Sequence, residues 1–561
     1  MKLLKLFFLF FYWFTFAQDS IPTTYFNNPI EIPLILSGSF GELRTDHFHS
    51  GIDLKTQQQV GIPVYAPADG FVSRIKVSHF GYGKALYIKH PNGYSTVYAH
   101  LKKYEESIQS YLKNAQYKKE VYEIELFPEA NQLKVKKGDL IAYTGNSGGS
   151  EGPHLHFEIR DSNSRPMNPL LFGIEITDTK KPIVSSLFAY PLSKDAQINQ
   201  SENRVKIRLT PQKDGSYNAE NITAFGKIGF GISTYDQQNG ASNKNGIYKI
   251  DTYCNGKEKF KIAFEKFSFA ETRYLNRFID YEYFKNNKSR VQKLFRQTNN
   301  PLSIIQLEDE NGFIDVQNQL NYIYKIEVTD FKNNKVSISI PIKGEELAIV
   351  KKRESNITKD FIYANEATSI TKGKFNIYIP TNSFYEDVYL DIKAKEDTLV
   401  LHKNTIPLHK SIRISTDVSN YNDEDINKLY IGRLNYKKEP YYNFTSRKGN
   451  KLTAYTKTLG SFVLVTDKSD PKIKALNFED NKWISKNKTL KIKITDVLSG
   501  ISSYRATING KFILMEYNYK KDVLTYDFDD QIISESENNL KLIVIDNVGN
   551  NATFEATFFR K

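Results

Sequence analysis

The stretch EGPHLHFEIR, residues 151–160, alternates apolar and polar side chains and sets two histidines one residue apart. Such alternation predicts a β-strand, because successive side chains of a strand point to opposite faces. The core-facing side chains would be Leu155, Phe157 and Ile159. The opposite face would carry His154, His156 and Glu158. Side chains two apart lie roughly 7 Å apart along the strand, so the two imidazoles can share a small site with one of them on a metal. The alternative is an ordinary polar face, with both rings in water or hydrogen-bonded to carbonyls.

A second polar face occurs in HFHSGIDLK, residues 47–55. In an extended segment His49, Gly51 and Asp53 share one side, and the glycine leaves room between the other two. A histidine and an aspartate that converge on one point are a credible pair of metal ligands. His47 lies two residues from His49 and could imitate a ligand.

A third polar face occurs in STVYAHLKK, residues 95–103, where alternation places His100 on the side shared by Thr96 and Tyr98. Seven of the nine histidines lie between residues 47 and 156, which predicts that function is concentrated in the first third of the chain. Of the others in that region, His79 and His90 are near predicted turns and are interpreted as surface residues. The two distant histidines, His402 and His409, have no partner cluster and are interpreted as structural.

Together these segments resemble a known family, the lysostaphin-type or LytM-like zinc metallopeptidases, which are peptidoglycan endopeptidases. The resemblance depends on HSGID (49–53), VYAHL (97–101) and GPHLHFEI (152–159). It is supported, in the same order along the chain, by GIPVYAPADGFV, GYGKALYIKHPNGYSTVYAHL, KKGDLIAYTGNSG and the NP pair at 168–169. It covers roughly residues 35–173. Any one motif alone is weak, but all three in order at suitable spacing are highly specific.

The resemblance implies the roles of the site residues. The zinc ligands would be His49, Asp53 and His156, with one Zn²⁺ per chain, and the catalytic histidines would be His100 and His154. The family pattern places the ligand four residues before the aspartate, so His47 would be a residue at the rim of the site. Three protein ligands leave zinc a fourth position for water, as in catalytic zinc sites. Glu158 either orients a ligand histidine from behind or is an exposed carboxylate.

The expected function is hydrolysis of a peptide bond in the stem or cross-bridge peptides of peptidoglycan through a zinc-bound water. One alternative is a catalytically silent activator or scaffold of cell-wall hydrolases. Another is a cell-surface binding protein dominated by its β modules. A fourth is an enzyme that becomes active only after the β modules or a helical insertion move aside. The residues do not distinguish between the candidate scissile bonds.

The predicted fold class is mainly β: an antiparallel β-sheet zinc peptidase domain with a short helical insertion, followed by β-sandwich, immunoglobulin-like modules. The length suggests about four domains. The predicted units are a signal peptide (1–17), a peptidase domain (18–174), a first module (175–345), a β-rich middle module (346–466) and an immunoglobulin-like last module (467–561). The insertion, at about 102–130, contains a short amphipathic helix whose Tyr104, Ile108, Tyr111, Leu112 and Ala115 recur at helical spacing.

A faint internal repeat relates the first and last modules. Both begin near a turn that contains Asp, Lys and Pro, and both end with an Asp-x-x-x-Asn hairpin. The pairs of similar segments are 177–189 with 466–478, 232–257 with 494–511, and 325–338 with 542–554. The repeat predicts two β units of related structure.

The first twenty residues predict export. Lys2 and Lys5 precede an apolar run from Leu6 to Phe16, and small residues precede an expected cleavage before Gln18. An uncleaved anchor is the alternative. The single cysteine, Cys254, permits no internal disulfide, which suits a bacterial envelope protein that is periplasmic, envelope-associated or extracellular.

The composition argues against other classes of partner. The net charge of +13 is spread along the chain without a basic block interleaved with aromatics, so no nucleic-acid partner is expected. A basic surface favours an anionic partner such as a cell-wall polymer, although diffuse charge also serves solubility. No transmembrane span is expected in the mature chain. The expected partners are peptidoglycan and, through the β modules, envelope proteins.

Overall fold

In a computed structural model, residues 21–354, 357–530 and 532–561 are described. The predicted signal peptide therefore lies outside the described residues. No helix within the described ranges is long and apolar enough to cross a membrane. The chain is mainly β, as the alternating patterns predict.

An antiparallel sheet forms the centre of the N-terminal domain, in the order β1-β2-β11-β6-β5-β4-β8, and a smaller sheet has the order β3-β10-β7. The strands are β1 (Leu36–Gly38), β2 (Ile52–Lys55), β3 (Pro63–Tyr65), β4 (Gly70–Val77), β5 (Lys84–Lys89), β6 (Ser95–Ala99), β7 (Lys103–Tyr104), β8 (Ile124–Leu126), β9 (Lys134–Val135), β10 (Leu140–Tyr143), β11 (His154–Arg160) and β12 (Pro166–Met167). A 3-10 helix follows at Pro169–Phe172.

The helical insertion is present as α1 (Glu106–Lys119). The Glu105 side chain caps its first turn by accepting from the Ser107 amide, and Glu120 ends it in the left-handed conformation. Its apolar face is buried through Ile108 and Leu112, which confirms the predicted helix. Tyr104, which was predicted to lie on the same helical face, instead lies in β7, before the helix begins. The strands β8 and β9 then return the chain to the main sheet.

The first module packs against the N-terminal domain over one continuous apolar core. Phe40 meets Phe267 at 5.1 Å between ring centroids, and Phe48 meets Phe264 at 5.9 Å. Sequence periodicity indicates which side chains are buried but not which domain buries them, so this shared core was not predicted.

The first module is a large, mainly antiparallel sheet with two short helices, α2 (Leu275–Phe278) and α3 (Tyr281–Asn287). Its 3-10 helices are Thr272–Tyr274 and Glu310–Gly312. Its strands are β13 (Ile183–Pro191), β14 (Gln197–Ile198), β15 (Val205–Ile207), β16 (Leu209–Pro211), β17 (Tyr217–Ala219), β18 (Ile222–Tyr235), β19 (Lys249–Cys254), β20 (Lys257–Ala263), β21 (Gln292–Lys293), β22 (Ile305–Glu308), β23 (Ile314–Val316), β24 (Asn321–Thr329) and β25 (Lys335–Gly344).

The middle module has its own core between two five-stranded sheets, ordered β27-β28-β32-β36-β35 and β30-β31-β37-β33-β34, beside a β26-β29 pair. Its helix is α4 (Asp423–Ile426). Its strands are β26 (Asp360–Ile362), β27 (Thr368–Lys372), β28 (Phe375–Ile379), β29 (Val388–Leu390), β30 (Lys393–Lys395), β31 (Thr398–Val400), β32 (Ile412–Asp417), β33 (Leu429–Leu434), β34 (Pro440–Tyr441), β35 (Thr445–Lys448), β36 (Lys451–Thr456) and β37 (Ser461–Thr466).

The last module is a β-sandwich of two sheets, ordered β38-β40-β44-β43 and β39-β46-β45-β41-β42, around a third core. A 3-10 helix lies at Phe528–Asp530. The strands are β38 (Lys472–Ala475), β39 (Lys482–Trp483), β40 (Thr489–Thr495), β41 (Ile501–Ile508), β42 (Lys511–Phe512), β43 (Met515–Asn518), β44 (Val523–Asp527), β45 (Glu537–Asp546) and β46 (Asn551–Phe559).

The last module folds back onto the N-terminal domain. Lys84 Nζ lies 2.8 Å from Glu516 Oε2, and Arg505 Nη2 lies 2.6 Å from Glu120 Oε2. Asp530 accepts hydrogen bonds from Lys113 and Tyr117 on α1. The helical insertion thus serves as a docking surface for the last module.

Candidate metal centre

The centre lies where three neighbouring strands of the main sheet meet. In the register of β2 and β11, Asp53 is directly opposite His156, and in the register of β11 and β6, His156 is opposite Ala99, which precedes His100. The predicted strand over 151–160 is confirmed as β11, and its side chains Leu155, Phe157 and Ile159 are buried in the core. The register therefore assembles residues that are up to 107 positions apart.

Three side chains converge on one point. Asp53 Oδ1 lies 2.8 Å from His156 Nδ1 and 3.1 Å from His49 Nε2. The two ring nitrogens lie 3.0 Å apart. All three residues are buried. The ligand atoms of a tetrahedral zinc ion lie about 3.3 Å from one another, so this spacing is close to what zinc needs.

The tautomers of the two rings fit a cation between them. His49 Nδ1 lies 2.8 Å from the Ser39 carbonyl oxygen and His156 Nε2 lies 2.9 Å from Glu158 Oε1. Both acceptors require N–H at those positions, which leaves a lone pair on each nitrogen that faces the centre. Two lone pairs and a carboxylate oxygen at about 3 Å repel one another unless a cation lies between them. The donor set therefore fits zinc.

The electrostatics of the centre keep the aspartate ionised. Burial opposes ionisation, but the neighbouring His49, His154 and His156 outweigh it and hold the pKa of Asp53 well below its usual range. Arg44 also donates to Asp53 Oδ2 at 3.0 Å. For His156 burial likewise opposes the charge, yet hydrogen bonds to Asp53 and Glu158 raise its pKa to about 9.

His100 and His154 lie beside the three ligand candidates, with their ring centroids 4.8 Å apart. His154 Nε2 is 3.5 Å from Asp53 Oδ1, and its Nδ1 is 2.9 Å from the Gly152 carbonyl oxygen. His100 Nδ1 is 2.9 Å from the Ser147 carbonyl oxygen. These contacts place N–H on each Nδ1 and leave Nε2 as the acceptor. Burial, with the charges of His156 and His154, lowers the pKa of His100 to about 3.

The predicted face of His100 was wrong. Tyr98 points into the core against Phe157, with centroids 5.5 Å apart, and Thr96 hydrogen-bonds to the Tyr98 hydroxyl. His100 instead has a φ of 59°, which breaks the alternation at the end of β6 and turns the ring toward the centre. Non-glycine residues in this conformation are uncommon and gather at functional sites. Alternation alone does not reveal such a turn.

Glu158 is fully buried, so the alternative of an exposed carboxylate is excluded. Besides His156, its oxygens accept from Ser50 Oγ at 2.8 Å, from the Tyr82 hydroxyl and from Arg160 Nε at 2.6 Å. Burial favours the neutral acid, but Arg160 and His156 outweigh it and lower the Glu158 pKa. The sequence reasoning missed these partners, because Ser50, Tyr82 and Arg160 carry no signal beyond their places in the matching motifs.

Gly51, between His49 and Asp53, is required for a different reason from the one predicted from the sequence. A Cβ on Gly51 would lie 2.3 Å from the Phe157 carbonyl oxygen and 2.8 Å from Glu158 Cγ. Gly51 is therefore needed for the close approach of this segment to β11, rather than for room between the two ligand candidates.

Replacing Glu158 with glutamine is expected to weaken zinc binding by about 10- to 100-fold, since partners behind a ligand typically contribute that much. The amide is neutral and cannot hold the His156 Nε2–H as strongly. The measurement is competition for zinc with a chromogenic chelator. Glu129→Gln, which changes an exposed glutamate of the same domain, is the matched control. An unchanged affinity for Glu158→Gln would contradict the role.

The remaining histidines differ in part from expectation. His47 is exposed and lies 3.0 Å from Asp46, in keeping with a rim position. His90 was expected at the surface but is buried, between the Asp69 carbonyl oxygen and Thr96 Oγ1. His79 is also not free at the surface, since it stacks on Tyr122 and contacts Tyr504 and Tyr517 of the last module. The distant histidines lie in the middle module, far along the chain from the centre.

The loop at 145–150 connects the centre to the last module. Ser147 and Ser150 contact the two flanking histidines, through the Ser147 carbonyl and through Ser150 Oγ, 3.2 Å from His154 Nδ1. On its outer side, Tyr519 donates to the Gly148 carbonyl at 3.2 Å. Lys520 Nζ donates to the Asn146 carbonyl at 3.0 Å and to the Ser150 carbonyl. The β43–β44 turn thus holds the loop that orients both histidines.

Comparison with known proteins gives a family match over the same region. Residues 47–117 and 127–169 match the model of peptidase family M23, and the interruption falls within the helical insertion. The N-terminal domain thus contains an M23 peptidase domain. Residues 359–467, in the middle module, match a Zu5-like domain.

Curated relatives match only part of this chain. The DD-carboxypeptidase/endopeptidase Mpg of Neisseria meningitidis is 34% identical over 142 residues, which are 25% of this chain and 26% of that protein. An uncharacterized metalloprotease of Haemophilus influenzae is 38% identical over 122 residues, 22% of this chain and 20% of the other. The peptidoglycan DD-endopeptidase ShyA of Vibrio cholerae is 26% identical over 200 residues, which are 35% of this chain and 40% of that protein. The chain thus spans between a fifth and two fifths of these relatives.

Proposed function

We propose that the chain is a zinc-dependent endopeptidase that hydrolyses peptide bonds in the stem or cross-bridge peptides of bacterial peptidoglycan. The observation that carries the proposal is the convergence of His49 Nε2, Asp53 Oδ1 and His156 Nδ1, buried in the M23 domain with two further histidines beside them. When bound there, zinc lowers the pKa of a water toward about 7 and polarises the scissile carbonyl.

The two flanking histidines carry the proton transfers. Each keeps Nδ1–H on a backbone carbonyl, so each ring is fixed in orientation and offers Nε2 to the substrate. The low pKa of His100 keeps its ring neutral at working pH. One neutral imidazole takes the proton from the attacking water at its Nε2. A ring that carries a proton at Nε2 then donates a hydrogen bond to the oxyanion or passes that proton to the leaving amine. The burial of the ligand candidates limits water around the reacting groups.

The names of the relatives support the substrate class. Mpg is named a DD-carboxypeptidase/endopeptidase and ShyA a peptidoglycan DD-endopeptidase. By analogy we assign this chain to the cross-linked peptides of the cell wall, reached after export to the periplasm or cell envelope by the predicted signal peptide. The β modules then serve to position the M23 domain or to contact other envelope components.

The proposal is tested by digestion. The protein lacking residues 1–17 is incubated with cross-linked peptidoglycan, with and without a zinc chelator, and the fragments are identified by mass spectrometry. The expected result is chelator-sensitive cleavage that zinc restores, with fragment masses that identify the bond. Zinc bound at one per chain without any cleavage would instead favour a silent activator of other hydrolases.

Replacing Lys520 with alanine is expected to lower turnover by up to about tenfold with the zinc content unchanged. The reason is that Lys520 fixes the loop whose Ser147 and Ser150 orient His100 and His154, and small losses of orientation reduce rate. The measurement is the turnover of a purified muropeptide dimer. Lys521→Ala, which changes the exposed neighbouring lysine, is the control. Faster turnover in Lys520→Ala would show that the last module obstructs the centre instead.

A further inference from the structure

Two further clusters of acidic side chains occur outside the M23 centre, and they occupy equivalent places in the repeat. Asp178, Asp236 and Asp330 form one in the first module, and Asp467, Asp496 and Asp546 form the other in the last module. In each cluster one carboxylate oxygen per residue lies within 4.8 Å of the others. The similar segments of the two modules align these aspartates pair by pair.

Asp178 and Asp467, which lie where the chain enters the first and last modules, accept corresponding hydrogen bonds. Asp178 Oδ1 accepts from the amide two residues later at 3.0 Å, and Asp467 Oδ1 does the same at 3.0 Å. The carbonyl of Asp178 accepts from Asn334 Nδ2 at 3.3 Å, and that of Asp467 accepts from Asn550 Nδ2 at 2.9 Å. The two clusters are therefore built alike, although the modules are far apart in sequence.

The hairpin aspartates correspond in the same way. Asp330 accepts from the amide and the side chain of Asn334 at 2.8 and 2.7 Å. Asp546 accepts from the amide and the side chain of Asn550 at 2.7 and 2.7 Å. These hydrogen bonds fix the orientation of both carboxylates. The asparagine of each Asp-x-x-x-Asn motif therefore orients the aspartate four residues before it.

The third aspartate leaves an unpartnered oxygen in both clusters. Asp236 is 7% exposed, and its Oδ1 is buried without a hydrogen-bond partner. Asp496 Oδ1 is also buried without a partner. Across the described ranges no Lys or Arg forms an ion pair with any of the six carboxylates. A buried, unpaired carboxylate oxygen among like charges is costly, so its occurrence at the same position twice calls for a ligand.

We propose that each cluster binds one Ca²⁺. All the candidate ligands are oxygens, which hard cations prefer, and two oxygens on one Ca²⁺ at about 2.4 Å lie up to about 4.8 Å apart, as in both clusters. Asp178 and Asp236 also line a cavity of about 30 Å³ together with Gln238, Asn245 and the exposed Lys332. Mg²⁺ is less suitable, because it needs a tighter octahedral shell that retains several waters.

The position of each cluster assigns its ion a structural role at a domain junction. Asp178 and Asp467 lie in the segments that enter the first and last modules, whereas the other four aspartates lie within the modules. Asp467 N also donates to the Lys428 carbonyl of the middle module at 3.0 Å. Gln238, two residues from Asp236, bonds Leu36 N of β1 at 2.8 Å and the Leu34 carbonyl at 2.9 Å. Each ion would therefore tie a module to the domain before it.

The test is calcium binding by the protein lacking residues 1–17, stripped of metals and reloaded with one equivalent of zinc. Equilibrium dialysis at about 2 mM free Ca²⁺, in the range that extracellular modules bind, is expected to give two Ca²⁺ per chain. Asp236→Asn and Asp496→Asn should each bind one, and the double variant none. Asp470→Asn, an exposed aspartate beside the second cluster, should still bind two.

Thermal unfolding gives a readout that does not depend on activity. Ca²⁺ is expected to raise the midpoint of the parent chain by about 2–5 °C. Asp236→Asn should unfold at the same or a higher temperature than the parent without Ca²⁺, since it removes a repelling charge, and should gain less from Ca²⁺. Zinc content should be the same in all variants.

Protonation of Asp236 could reduce the repulsion between the three carboxylates in place of Ca²⁺. Burial and the nearby Asp178 and Asp330 raise the pKa of Asp236 to about 7. If a proton alone relieves the repulsion, the midpoint will depend on pH but not on Ca²⁺, and dialysis will find no calcium. That result, or two Ca²⁺ retained in the double variant, would overturn the proposal.

Discussion

Replacing His156 with alanine is expected to reduce zinc from about one per chain to none and to abolish chelator-sensitive cleavage of peptidoglycan. His156 supplies one of three donors, and its Nδ1 is 2.8 Å from Asp53 Oδ1. Its loss also leaves the buried carboxylate of Glu158 without one of its partners. Since partners behind a ligand already contribute 10- to 100-fold to affinity, loss of a ligand itself should weaken zinc binding by more than about 100-fold.

The measurement is zinc per chain by mass spectrometry after dialysis, together with turnover of a muropeptide dimer. His47→Ala is the matched control, since His47 lies two residues from a ligand candidate but its exposed side chain pairs with Asp46. It should keep both zinc and turnover. Zinc retained at one per chain in His156→Ala would contradict the proposed ligand set.

The ligand candidates could be predicted because their residue types and spacing are visible in short stretches of sequence. Alternation in β11 placed His156 on the polar face, and the spacing of HSGID paired His49 with Asp53. The pairing of Asp53 with His156 across the sheet is a property of strand order, which the local pattern does not contain. Only the resemblance to a family joined the segments before the structure did.

What the sequence did not predict depends on tertiary contacts. The left-handed backbone at His100 overrides alternation, and the Tyr82 contact to Glu158 requires the turn before β5 to lie against β11. His90 was expected at the surface because its neighbours form a turn, but its ring packs beneath that turn against Thr96. The shared core of the N-terminal domain and the first module could not be predicted from periodicity either, because an apolar face can be buried by any neighbouring domain.

Replacing His154 with alanine is expected to lower turnover by about 10²- to 10⁴-fold, the usual contribution of a general acid or base, while zinc remains at one per chain. This separates His154 from the ligands, because its Nε2 lies 3.5 Å from Asp53 Oδ1, farther than either His49 or His156. The same loss of rate with loss of zinc would make His154 a ligand, and unchanged turnover would leave it without a role.

The double variant His154→Ala, His100→Ala shows whether the two rings act together. Their centroids are 4.8 Å apart, and the same loop, through Ser147 and Ser150, orients both. If they transfer protons in one chemical step, the double variant should lose little more than the slower single variant, as catalytic groups that act as a unit do. Losses that multiply would instead mean independent roles, one before and one after the peptide bond breaks. Single-turnover rates with zinc-loaded protein distinguish these outcomes, because they report the chemical step without product release.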